Sequence, residues 1–342
     1  MSRPLSPVGS LFFCCLFACG RTALDSQAAP AATRAVRGTG GTSGSTGAGT
    51  GGASPSGATS STNASPTLLA SGLGCPSRIA VDGGHVYWTD RDRGMVEKVG
   101  LAGGTPIVLV EAQETPRDIA IDTHYVYWVD DGAGTVMRVQ LAGGTPAVLA
   151  AGQSRPCALA IDSSSVYWAS DRSVMKVDLA GGTPVTLATS DSYPSDIALD
   201  ATSVYWTSGG TEAIRKTGLA GGDLPDTLKA LEPIGALDIA VDSSSVYWTT
   251  PGYVLQTGIG GNTRTNVIAT CGRWLYPTDL ALDATGVYWT ESSSVVRKAG
   301  LPLGPPVTIA TQAEIGDGGI AVDSTSVYWS NCSAGTIMKV QK

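Results

Sequence analysis

The sequence predicts an all-β chain: a seven-bladed β-propeller of four-stranded blades. Two observations carry this. Seven tryptophans, Trp88, Trp128, Trp168, Trp206, Trp248, Trp289 and Trp329, recur at spacings of 40, 40, 38, 42, 41 and 40 residues. A period near 40 kept over seven units marks a repeat architecture. Within each period, four short runs rich in β-branched and aromatic residues alternate with turn residues, and no sustained helical period appears. Four strands in about 40 residues make one propeller blade, whereas the coils of a β-solenoid are usually shorter.

The second unit shows the elements in order. Residues 117–122, RDIAID, form a short apolar alternation, and THY turns the chain into VYWVD at 126–130. DGAG breaks that run, TVMRVQLA at 135–142 alternates with period two, GG turns again, and TPAVLAA at 145–151 is a fourth strand. The ends of the repeat supply a separate check. The last unit stops after its third strand, at GTIMKVQK, while SPTLLASG at 65–72 matches the fourth-strand slot. The N-terminal strand is therefore expected to complete the last blade, closing the ring without an open sheet edge. Counted this way the blades number seven; six would leave one unit over.

Val-Tyr-Trp falls on the second strand of every blade. Alternation sends Val and Trp to one face and Tyr to the other. Both faces of a blade pack against neighbours, so all three residues are expected to be buried, and the tyrosine hydroxyl then needs a partner. Asp82, Asp122, Asp162, Asp200, Asp242, Asp283 and Asp323 end the first strand of each unit, ahead of a three-residue turn. An aspartate there can accept backbone N–H groups and hold the hairpin. The two histidines, His85 and His124, lie in those same turns, with no nucleophile suggested beside them.

A second acidic set, Asp118, Asp196, Asp238 and Asp279, opens the innermost strand in four units. These positions are expected to surround one mouth of the central channel. Like charges held close are costly unless a cation or water relieves them, so this set is the candidate site for Ca²⁺ or a cationic ligand, with backbone-bonded or solvated carboxylates as the alternative. Loops on the same face carry the irregularities of the repeat: Trp274 and Tyr276 in CGRWLYP, Tyr193 in DSYP, Tyr253 in TPGY and Arg91 in TDRDRG. Aromatic and arginine side chains on loops are the usual makings of a binding surface, so these five are the candidate ligand-binding residues, against ordinary loop packing. Cys75 enters the first blade and Cys332 leaves the second strand of the last, so a Cys75–Cys332 disulfide would staple the ring at its seam. Cys157 and Cys271 fall in separate blades.

The stretch IAVDGGHVYWTDRDRGMVEKVGLAGG, residues 79–104, resembles a YWTD repeat of the low-density-lipoprotein-receptor type. Its P-x-x-IAVD opening resembles NHL and SMP-30-like propellers. The resemblance covers residues 66–342 and implies a propeller fold. The full Tyr-Trp-Thr-Asp occurs only at Tyr87–Asp90; later units read YWVD, YWAS, YWTS, YWTT, YWTE and YWSN. The residues after the tryptophan are read as the edge of the ligand-bearing face.

Ahead of the repeat lie two segments of different character. Residues 8–18, VGSLFFCCLFA, are too short for a membrane span of about 20 residues and suit a signal peptide over residues 1–18. Leu16–Cys19, LFAC, resembles the lipobox of bacterial lipoproteins, which implies a lipidated Cys19 at the mature N-terminus. Residues 19–65 then form a Gly/Ser/Thr-rich tether; its low-complexity part, residues 36–66, has an expected span of roughly 30 Å. A net charge of −7 argues against nucleic acid and against charge-driven binding to an anionic bilayer. No nucleophile–histidine pair, HExxH or phosphate loop is present. The sequence is thus read as a non-catalytic binding or scaffold propeller, lipid-anchored in the bacterial envelope, with outer membrane favoured because Gly20 follows Cys19. Its expected ligand is an envelope protein or a glycan. The alternative is a metal-dependent, lactonase-like hydrolase using the acidic channel mouth.

Overall fold

In a computed structural model the described residues are 65–342, apart from 191, 209–212, 223–224, 231–234, 262, 272–275, 293–294, 303 and 312–317. The signal segment, Cys19 and nearly all of the tether lie outside them. Among the described residues all regular structure is β-strand. The strands form seven four-stranded antiparallel sheets. Six blades use consecutive strands, as in blade 1: Pro76–Val81, His85–Asp90, Met95–Gly100 and Ile107–Val110. Blade 7 combines Ile320–Val322, Ser326–Asn331 and Thr336–Gln341 with Thr67–Ser71 as its fourth strand. Thr67 faces Lys339 and Ser71 faces Thr336, so the first and last strands of the repeat close the ring, as the sequence predicts.

The mortar sits between blades rather than within them. Each interblade core joins the tyrosine of one blade to the valine and tryptophan of the next: Tyr87 with Val126 and Trp128, Tyr127 with Val166 and Trp168, and so on to Tyr328 with Val86 and Trp88 across the seam. All seven tryptophans are fully buried. Burying a side chain of this size stabilises by about 2–3 kcal/mol, and the repeat places one at every interface. The circular arrangement makes each blade depend on two others.

Two faces result. On the upper face lie the loops that enter each innermost strand and the turns between second and third strands; Gln113 N–H donates to Gly94 O there at 2.9 Å. On the lower face lie the turns between first and second strands and those between third and fourth; Leu101 N–H donates to Gly84 O at 3.0 Å. Cys75 and Cys332 are disulfide-bonded on the upper face at the seam, with a sequence separation of 257. Cys157 and Cys271 are not disulfide-bonded.

Candidate functional site

The lower-face aspartates are turn chemistry. In every blade the carboxylate accepts two turn N–H groups on Oδ1, as Asp122 does from His124 at 2.6 Å and Tyr125 at 2.7 Å. Its Oδ2 accepts the hydroxyl of the blade's own Val-Tyr-Trp tyrosine, at 2.7–2.9 Å in six blades and 3.4 Å for Tyr288 and Asp283. The buried tyrosine hydroxyl thereby finds its partner inside the same hairpin. Burial works against ionisation of these carboxylates, but the hydrogen bonds they accept outweigh it and hold them below the usual carboxylate range. Burial, reinforced by the neighbouring carboxylate, pushes Tyr87, Tyr127, Tyr167, Tyr205, Tyr247 and Tyr328 up, Tyr328 to about 12.

The residues after each tryptophan are structural, which corrects their reading as the edge of a ligand face. Asp90 and Asp130 are 0% and 1% exposed. Asp130 accepts the N–H groups of Glu114, Thr115 and Ala133 at 2.9, 2.9 and 3.1 Å, tying the loop that enters the blade to the turn that leaves it. Asp90 does the same for Gly74, Cys75 and Arg93. The hydroxyl one residue earlier reaches the next blade, Thr89 donating to Arg117 O and Ser330 to Ser77 O. In blades 1, 2 and 7 the turn closes on Gly94, Gly134 and Gly335, all with φ near +60°. A Cβ on any of them would collide with a neighbouring loop carbonyl.

The channel set is organised by a residue that sequence reasoning missed. Aligned on the Ile or Leu that follows, the seven innermost strands present Arg78, Asp118, Ala158, Asp196, Asp238, Asp279 and Gly319. Each of the four carboxylates accepts the N–H of the next blade through Oδ2: Asp118 from Leu159, Asp196 from Ile239, Asp238 from Leu280, and Asp279 from Ile320, at 2.5–2.9 Å. Arg78 crosses the channel from blade 1 to Asp279 of blade 6 and Asp238 of blade 5, the latter at 3.0 Å, with 28% of its side chain still open. Burial would discharge the guanidinium, but the facing carboxylates hold it firmly protonated. One positive charge faces four acidic groups. Burial pushes Asp118 up to about 6 despite Arg78, and burial together with Asp238 raises Asp196 well above the usual range. The signal for Arg78 was available: it occupies in SRIAVD the slot that is Asp in RDIAID, SDIALD, LDIAVD and TDLALD. Gly319 lets blades 7 and 1 approach, its N–H donating to Ser77 O at 2.8 Å where a Cβ would press on the Arg78 backbone.

The described candidate ligand residues, Tyr193, Tyr253, Tyr276 and Arg91, belong to the upper face. Tyr193, Tyr253 and Tyr276 fall on three successive blades, 4 to 6. Tyr253 is 37% exposed, Tyr276 is half-buried, and Tyr193 is half-buried with the Arg172 guanidinium 5.5 Å from its ring centre. Trp274 lies outside the described residues. Arg91 stands apart on blade 1, its backbone N–H on Cys75 O at 3.1 Å and Nη2 3.7 Å from Cys75 Sγ, so it packs over the seam disulfide. Arg172 and Arg117, which pairs with Asp131 at 2.8 Å, add charge to this face that the sequence reading did not single out.

No protein-family model matches the sequence, and no curated protein matches it. Solved structures do. A catalytically inactive variant of virginiamycin B lyase from Staphylococcus aureus with quinupristin is similar over 81% of this chain and 98% of that chain, with a TM-score of 0.70 and 16% identity. A streptogramin B lyase covers 81% of this chain and 97% of its own at TM-score 0.69 and 13% identity. The WD40 propeller domain of Doa1 covers 82% and 97% at TM-score 0.66 and 13% identity. At these identities the likeness is one of fold, and the class it defines is the seven-bladed β-propeller. That class contains enzymes and WD40 domains alike, so it decides between neither reading of function.

Proposed function

We propose that this chain is a non-catalytic binding propeller, held at the bacterial cell envelope by lipid on Cys19 and a flexible tether, and that it takes an envelope protein or a glycan on its upper face. The observation that carries this is the contrast between an invariant scaffold and upper-face loops that place Tyr193, Tyr253 and Tyr276 on three successive blades. Side chains of this type supply large contact area at small entropic cost. We assign the repeat to the YWTD-like type, supported by the clamps that Asp90 and Asp130 make. The test is capture of envelope protein or glycan by the purified chain, compared with Tyr253→Ala and Trp274→Ala. Capture unchanged by both variants would count against the upper face. Mass spectrometry of the mature N-terminus tests lipidation of Cys19.

A second reading is favoured by one observation, the surplus of carboxylates over Arg78 in the channel. In it, Asp118, Asp196, Asp238 and Asp279 hold Ca²⁺ in their ionised form and serve a lactonase-like hydrolase. Ca²⁺ would have to displace Arg78 from Asp238 and Asp279. A Ca²⁺-dependent thermal shift that grows in Arg78→Ala supports this reading, and its absence in both proteins removes it.

A further inference from the structure

The lower face carries a groove of about 900 Å³ over blades 1 to 3. Its apolar lining is Val81, Ile121, Leu141 and Leu179, and the turn carboxylates Asp82, Asp122 and Asp162 rim it. A mixed lining of this volume suits a ligand with an aliphatic body and a few polar groups.

The repeat departs from its own rule at this place. In blades 3 to 7 the residue two after the turn aspartate is Ser or Thr, and its hydroxyl donates a further hydrogen bond to Oδ1: Ser164 to Asp162 at 2.8 Å, Thr202 to Asp200 at 2.9 Å, Ser244 to Asp242 at 2.9 Å, Thr285 to Asp283 at 2.8 Å and Thr325 to Asp323 at 2.9 Å. In blades 1 and 2 that residue is Gly84 and His124, which supply the backbone N–H alone. Asp82 and Asp122 therefore keep acceptor capacity that the other five hairpins fill internally. Asp82 also keeps 29% of its side-chain surface. The turn itself needs the aspartate and two N–H groups, so it does not call for a histidine. Yet both histidines of the chain stand here, on neighbouring blades, within the groove lining. Lys98 and Arg138 stand at the groove's edge with their hydrogen bonds on backbone: Lys98 donates to the carbonyl of the lining residue Leu141 at 2.6 Å and Arg138 to that of Leu179, each also lying over a tyrosine ring, and His85 Nδ1 lies 4.0 Å from Asp82.

We propose that this lower-face groove binds a basic peptide segment bearing aliphatic side chains. Its ammonium or guanidinium groups meet Asp82 and Asp122, and its aliphatic side chains lie on Val81, Ile121, Leu141 and Leu179. An extended ligand is indicated because the two carboxylates and the apolar lining are spread over three successive blades. The chain's charge of −7 favours the encounter. This site is on the opposite face from the tyrosine loops and does not depend on them.

The test uses the purified chain and the peptide acetyl-Leu-Lys-Leu-Lys-Leu-amide, with the glutamate counterpart as control. Labelling histidine with ¹⁵N gives two imidazole signals, one per blade. Both are expected to shift with the lysine peptide, to saturate, and to stay still with the glutamate peptide. Installing the repeat's own hydroxyls, Gly84→Ser with His124→Ser, is expected to weaken binding about tenfold, read by anisotropy of a labelled peptide, while the melting temperature holds or rises. The proposal is overturned if neither signal moves, if both peptides act alike, or if the hydroxyl variant binds as tightly as the parent. Val81→Ser serves as a second variant, since it alters the apolar lining and leaves the carboxylates in place.

Discussion

The two faces of this propeller are built from the same repeat under different constraints. On the lower face seven hairpins solve one problem in one way: an aspartate, two turn N–H groups and a tyrosine hydroxyl. On the upper face three blades use an Asp or Asn that anchors a glycine-closed turn, while blades 3, 5 and 6 leave the second strand through Ser170, Thr250 and Glu291. Glu291 is wholly buried, takes the Trp289 N–H at 3.0 Å and lies 2.9 Å from Arg297 Nε. Burial and this carboxylate push the adjacent Cys271 thiol up to about 12, which keeps it protonated at neutral pH. Regularity therefore marks where the hairpin must be made, and variation marks where it is free to be made differently.

The largest effect should come from the seam. Cys75→Ser with Cys332→Ser opens a bridge spanning 257 residues and is expected to cost about 3–5 kcal/mol, read as a lowered denaturation midpoint. An unchanged midpoint would mean that the closing strand alone holds the ring. Next, Asp130→Ala strands three N–H groups around a buried site and should cost about 2–4 kcal/mol. Asp122→Ala removes a similar number of bonds on the lower face, but water can reach that turn, so about 1–2 kcal/mol is expected. If the two cost the same, the faces do not differ in the way their burial indicates.

The pH dependence separates the faces by sign. The lower-face aspartates are held below their usual value, so the stability they contribute is present above the carboxylate range and is lost as pH falls through their folded values. Asp118 and Asp196 in the channel are raised, so their contribution is complete below the unfolded value of 3.8 and is lost as pH rises, for Asp118 through about 6. Melting temperatures should peak near the unfolded carboxylate value, at about pH 4. Asp118→Asn should flatten the decline between about pH 4 and 6 and leave the acid limb in place. The smallest effect is expected for Tyr253→Ala: within about 0.5 kcal/mol of the parent in stability, with loss of ligand capture as its only consequence.

Much of this was legible in the sequence because it repeats. The spacing of Trp88 to Trp329 gives the blade count, and SPTLLASG fills the slot that the last unit lacks. The Cys75–Cys332 pairing follows once both residues are placed at the seam. What escaped were contacts between distant blades. Arg78 reads as one charge in an innermost strand; that it meets Asp238 and Asp279, 160 and 201 residues away, is a property of the closed ring. The inward turn of Asp90 and Asp130 escaped because their partners lie in the preceding loop, 15 and 16 residues back. Tyr193, Tyr253 and Tyr276 were placed on one face by topology alone, but their burial depends on neighbours such as Arg172.

The closing strand has a mechanical consequence. Thr67–Ser71 is where the N-terminal chain joins the ring, hydrogen-bonded along Thr336–Gln341, and Cys75 follows four residues later, tied to the last blade. Tension arriving along the N-terminal chain would load this antiparallel pair first. It would then cross the sulfur bridge into blade 7 before reaching blade 1. The strand through which the N-terminal chain enters the ring is thus held both by the last strand of the repeat and by a covalent bond, and the remaining blades sit outside the line of pull.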